Sequence, residues 1–132
     1  MPTRTSASVA ATASAAAGEG CNWGKSGNRL FVTDGPRHFV DQTDVAGVRE
    51  GGWGWGAGFF DYDNDGDLDL VMTNGLDYVE TMADPFRGDP MRVWRNDGPG
   101  KMTETAVALG LADPGQGRGL LVFDYDEDGD QD

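Results

Sequence analysis

The sequence predicts an all-β chain made of β-propeller blades, each of four short antiparallel strands, with fewer than two full repeats present. Three observations predict it. The chain repeats itself at an offset of 63 residues, its apolar segments are short and bounded by Gly, Asn, Asp and Pro, and an acidic nine-residue loop occurs twice between strand-like segments.

Residues 28–69 align without gaps on residues 91–132, with roughly 16 identities in 42 positions. Asp34-Gly35-Pro36 falls on Asp97-Gly98-Pro99, Gly47 on Gly110, Gly56 on Gly119, and Phe60-Asp61-Tyr62-Asp63 on Phe123-Asp124-Tyr125-Asp126. Apolar positions follow the same offset, as with Leu30 and Val93 or Val48 and Leu111. Strands are expected near 28–33, 37–43, 53–60, 68–73, 91–95, 101–106 and 118–123. Asp34-Gly35 and Asp97-Gly98 supply hairpin turns, because Gly and Asp tolerate positive φ. Four such strands per unit make a propeller blade, in which radial repetition leaves only short edges. The chain then divides into a disordered or targeting leader (1–27), the end of one blade (28–52), a whole blade (53–106) and the start of the next (107–132). The remaining blades of the same propeller are its expected structural partners.

Trp53 and Trp55 alternate with glycine, which places both on one face of a strand, and core packing is their expected task. Gly54, Gly56 and Gly58 on the opposite face let a neighbouring backbone come close.

The 132 residues carry a formal net charge of −13, which argues against a nucleic-acid backbone or an anionic membrane surface as partner. Cations suit this balance better. No apolar run is long enough to span a membrane. With 21 glycines and a hydrophobic fraction of 38%, the chain should be rich in turns. A single cysteine, Cys21, excludes an intramolecular disulfide. A single histidine, His38, excludes a multi-histidine zinc site and leaves no Ser-His-Asp arrangement.

The chemistry concentrates in Asp61-Tyr62-Asp63-Asn64-Asp65-Gly66-Asp67-Leu68-Asp69 and in Asp124-Tyr125-Asp126-Glu127-Asp128-Gly129-Asp130-Gln131-Asp132, both of the form D-x-D-x-D-G-D-x-D. Ca²⁺ takes six to eight oxygens at about 2.3–2.6 Å, which a tight loop delivers from side chains at positions 1, 3 and 5, a carbonyl at 7 and a carboxylate at 9. Gly at position 6 permits the bend. Carboxylates crowded this way repel one another unless a cation neutralises them. A helical EF-hand fails at position 12, where a bidentate Glu is required and Met72 stands in the strand-like run Leu68-Asp69-Leu70-Val71-Met72. Mg²⁺ fits less well, since it retains water and strict octahedral geometry.

These residues resemble a known family. Gly-x-Gly-x-x-Phe-Asp-Tyr-Asp-x-Asp-Gly-Asp, followed by Leu-Asp-Leu-Val and later Asn-Asp-Gly, is similar to the FG-GAP or VCBS-type repeats of integrin-α-like propellers. The long unit and Arg92-Val93-Trp94-Arg95-Asn96-Asp97-Gly98 resemble most the secreted cartilage-acidic-protein-like group. The resemblance covers residues 28–132 and implies that Asp61, Asp63, Asp65 and Asp69 are calcium side-chain ligands and Asp67 a carbonyl ligand. Asp124, Asp126, Asp128 and Asp132 take the same side-chain roles and Asp130 the carbonyl role. Residues 76–90 form a loop absent from the shortest repeats.

Other signals carry little. Arg87-Gly88-Asp89 is an adhesion-type tripeptide that arises readily in a chain rich in Gly and Asp, and Gly24-Lys25-Ser26 lacks the strand and first glycine of a phosphate loop. Paired glycosidase acids come from distant positions flanking a cleft, unlike acids within one loop. The expected function is therefore non-catalytic: an extracellular or periplasmic calcium-binding propeller segment serving binding, adhesion or structure, with an extracellular protein or glycan as partner. The alternative is the scaffold of a larger secreted enzyme whose catalytic residues lie outside this chain.

Overall fold

The computed structural model describes residues 7–9, 27–75, 87–98 and 100–132. Cys21, Gly24-Lys25-Ser26, most of the expected leader and residues 76–86 of the expected long loop lie outside the described residues. The fold is all-β, with two antiparallel sheets. The first has the order β1 (Ala7–Val9), β2 (Leu30–Thr33), β3 (Phe39–Asp41). The second is a four-stranded sheet with the order β4 (Gly54–Phe60), β5 (Asp69–Asn74), β6 (Arg92–Asn96), β7 (Met102–Glu104).

The register of the four-stranded sheet follows from its side-chain alternation. Phe60 pairs with Asp69 and Phe59 with Leu70, while Leu70 pairs in turn with Trp94, and Trp94 with Glu104. All six residues of β5 are buried, because both of its faces are covered. Leu70 and Met72 point to one side, where they join Trp94 and meet Leu30, Ala46 and Val48. Val71 points to the other side and packs with Val93 and Ala106 under Leu120 and Phe60. Burying a side chain such as Leu70 contributes about 1.5–3 kcal/mol, so this strand anchors the fold. The four-stranded sheet is thus sandwiched between the β2 region and the segment that follows β7.

The repeat is three-dimensional. Asp34 N–H bonds the His38 carbonyl and His38 N–H the Gly35 carbonyl, and Asp97, Lys101 and Gly98 make the same two bonds 63 positions later. Gly35 (φ 125°) and Gly98 (φ 103°) carry the positive φ expected of these hairpins. After each hairpin the chain forms a single helical turn, α1 (Thr43–Ala46) or α2 (Ala106–Leu109), which the sequence reading treated as strand or loop. Gly47 and Gly110 close these turns in the left-handed region, both at φ 73°. Four residues are too few to show helical periodicity, so the repeated glycine was their only sign.

Two further expectations need correction. Residues 118–123 are not a strand, since no ladder partner lies beside most of them among the described residues; only Phe123 and Asp132 exchange backbone hydrogen bonds. Trp55 is not a core residue, for it is 42% exposed. Its ring stands 6.4 Å from that of half-buried Trp53, its Nε1 donates to the Gly75 carbonyl at 2.6 Å, and the Arg118 guanidinium lies 4.0 Å from its centroid. Alternation assigned the face correctly but not the depth. The close approach across the glycines is present: Gly56 and Gly58 face Leu120, whereas Gly54, beyond an irregularity in the register, faces the Met72 side chain.

Candidate metal centre

The first acidic loop joins β4 to β5 at one end of the four-stranded sheet. Two backbone choices shape it. Gly66 adopts φ 95°, the bend expected at position 6, and Asn64 adopts φ 59°, a conformation Asn tolerates better than most residues. The chain then curls around Asp61, whose Oδ1 accepts from Asp65 N–H at 3.0 Å and whose Oδ2 accepts from Gly66 N–H at 2.9 Å. Asp65 Oδ1 accepts from Asp67 N–H at 2.9 Å.

This folding brings Asp61, Asp63 and Asp65 together, each offering a carboxylate oxygen within 4.8 Å of the others. Oxygens on opposite sides of a Ca²⁺ ion stand about 4.6–5.2 Å apart, so the group fits around one such ion. The donor set is all oxygen, the set a hard divalent cation prefers. Asp63 and Asp65 are exposed and Asp61 half-buried, which leaves the group open to solvent. Asp67 is exposed too, held through its N–H by Asp65.

Asp69 is placed differently. It is fully buried at the base of the loop, where Oδ2 accepts from Tyr62 N–H at 3.0 Å and Oδ1 from Asn96 N–H at 2.8 Å. Burial pushes its carboxyl above the usual range; the two amides pull it back, and the charges of Asp63 and Asp65 push it up further. Asp69 therefore ties both limbs of the loop to β6. Asn96 adds to the tie, with Nδ2 donating to the Leu68 carbonyl at 3.2 Å and Oδ1 accepting from Gly98 N–H at 3.2 Å. The sequence reading missed Asn96 as part of the site, because Asn-Asp-Gly signalled only a turn.

The second loop repeats the internal bonds of the first. Asp124 accepts from Asp128 N–H at 3.1 Å and Gly129 N–H at 2.9 Å, Asp128 from Asp130 N–H at 3.0 Å, and Asp132 from Tyr125 N–H at 2.8 Å. Glu127 (φ 62°) and Gly129 (φ 99°) reproduce the turn, and Asp124, Asp126 and Asp128 form the second carboxylate group. Asp130 is exposed like Asp67, whereas Asp132 is exposed where Asp69 is buried. Strand β5 follows the first loop directly and contains Met72, so no EF-hand helix flanks it.

Asp89 of Arg87-Gly88-Asp89 points inward, accepting from Trp53 N–H at 2.8 Å over Gly52 and pairing with Arg92 at 3.3 Å. His38 is exposed beside Asp34, 3.8 Å away.

Residues 13–72 match the family model for the FG-GAP-like repeat. The match takes in the first acidic loop and ends within β5. No curated protein and no solved structure matches the chain. Among the described residues no helix is long and apolar enough to cross a membrane.

Proposed function

We propose that this chain is a calcium-binding segment of a β-propeller, with one ion held in each acidic loop. The observation that carries the reading is the duplication: two loops 63 residues apart in a repeating fold adopt the same backbone, the same internal hydrogen bonds and the same carboxylate triplet. Asp61, Asp63, Asp65 and Asp69, with the carbonyl of Asp67, hold the first ion; Asp124, Asp126, Asp128 and Asp132, with the carbonyl of Asp130, hold the second. Bound calcium supplies the positive charge that crowded carboxylates need, and so fixes the turn between two strands.

The role is structural or adhesive and not catalytic, because the clustered acids of each site come from one short loop and face outward. Calcium sites of extracellular modules work at about 10⁻⁴–10⁻³ M, a range suited to solvent-open loops of this kind and to a place outside the cytoplasm. The parsing into a leader (1–27), blade end (28–52), blade (53–106) and blade start (107–132) belongs to the same reading, as does completion of the propeller by further blades. The Arg92–Gly98 segment supports kinship with the cartilage-acidic-protein-like group, and hence a protein or glycan as binding partner.

Calorimetric titration with Ca²⁺ tests the ligand assignment. Asp61→Ala and Asp65→Ala should each weaken binding strongly, whereas Asp113→Ala, at an exposed aspartate outside both loops, should not. Equal affinity for all three variants would sink it.

A further inference from the structure

We propose that Asn96 is a positioning residue that sets the cation affinity of the first acidic loop without itself being a ligand. The proposal rests on the calcium reading above and deepens it. Asn96 ends β6, and three of its polar groups are engaged: N–H with Asp69 Oδ1 at 2.8 Å, Nδ2 with the Leu68 carbonyl at 3.2 Å, and Oδ1 with Gly98 N–H at 3.2 Å. Leu68 and Asp69 are the last two residues of the loop, and they lie 28 and 27 positions from Asn96 in sequence. The hydrogen bond to Gly98 fixes the Asn96 side chain in a turn of the β6–β7 hairpin. Its amide nitrogen then clamps the closing limb of the loop, while its backbone N–H orients the buried Asp69 carboxylate. Among the described residues, Asn96 makes no hydrogen bond to Asp61, Asp63 or Asp65, so it acts through Leu68 and Asp69.

Ordering a binding loop in advance removes part of the entropy that binding would otherwise cost, and partners that orient ligands typically change metal affinity by about 10–100-fold. The second loop serves as an internal control. It has the same internal bonds, and among the described residues no hydrogen bond joins it to Asn96.

The experiment measures Ca²⁺ affinity by calorimetry one loop at a time. With the second loop silenced by Asp124→Asn and Asp128→Asn, Asn96→Ala should weaken binding about tenfold. Asn96→Ser, which keeps an acceptor for the Gly98 amide, should recover part of that loss. With the first loop silenced by Asp61→Asn and Asp65→Asn, Asn96→Ala should leave the second loop's affinity unchanged. Should Asn96→Ala fail to fold, Asn96→Ser carries the comparison, its expected loss again confined to the first loop. Equal loss at both loops, or no loss at the first, overturns the role of Asn96 and leaves the calcium reading standing. An unaltered chain that takes up no Ca²⁺ overturns both.

Discussion

The backbone of Leu120 runs against Gly56, so that a Cβ placed on Gly56 would stand 3.0 Å from Leu120 Cβ and 3.1 Å from its nitrogen. Thr73 Oγ1 lies equally close at 3.1 Å and accepts the Gly56 N–H. Gly119, the same position one repeat later, has open space where its Cβ would be. Gly56→Ala should therefore destabilise the chain by about 1–3 kcal/mol, as overpacking does. Gly119→Ala should be neutral or stabilise by about 0.4–1 kcal/mol through the unfolded state. Urea denaturation of the two variants measures the difference, and similar effects would contradict the packing of Leu120 over β4.

Much of this arrangement was legible in the sequence, and the gaps have physical causes. The strands of the four-stranded sheet were readable because short apolar runs alternate between turn residues, and the repeat supplied an internal check. Loop geometry was readable at Gly66 and Gly129, where bending demands glycine, but not at Glu127, whose left-handed conformation no residue preference announces. The burial of Trp55 was misjudged because a period of two assigns a face and says nothing of what covers it. Asn96 escaped notice because its role depends on a contact across 27 positions, which no local pattern encodes.

Acid should act on the β6–β7 hairpin through Asp97. The Thr103 hydroxyl donates to its Oδ2 and the Arg95 guanidinium lies 2.7 Å from Oδ1, and these hold its carboxyl below the ordinary value of 3.8. A depressed folded-state value means that the stabilisation is fully present above pH 3.8 and is lost as pH falls through the lower folded value. Asp97→Asn should be less stable at neutral pH yet should lose less stability below about pH 4. Thermal melts across that range check this, and parallel curves for the two proteins would remove the assignment.

Calcium should stabilise the folded chain by mass action. At a concentration about 100 times Kd, each occupied site contributes about 2.7 kcal/mol, and a chelator should reverse the gain. In the joint variant Asp61→Asn and Asp124→Asn, which removes the first carboxylate of each loop, the calcium-dependent rise in Tm should largely vanish. Added NaCl should raise Tm more without calcium than with it, because it screens carboxylates that the ion otherwise neutralises. A melt indifferent to calcium in the unaltered protein would defeat the proposed function.

Phe60 and Phe123 occupy the same place in successive repeats, and they should respond differently to truncation. Each contacts the tyrosine two positions on, with ring centroids 6.4 Å apart for Phe60 and Tyr62 and 6.2 Å for Phe123 and Tyr125. The aromatic pair is therefore common to both. What differs is the environment: Phe60 packs against the buried cluster of Val71, Val93 and Ala106, whereas Phe123 is 53% exposed. Full burial of Phe makes its loss cost about 3–5 kcal/mol, so half-buried Phe60→Ala should cost about 2 kcal/mol. Phe123→Ala should cost under about 1 kcal/mol, the range of surface changes. Since the tyrosine contact cancels between the two, the difference measures what the packed strand pair beneath Phe60 adds. Urea denaturation followed by tryptophan fluorescence provides the comparison. Equal losses would mean that Phe123 is covered in solution, and that residues 118–123 have found a partner.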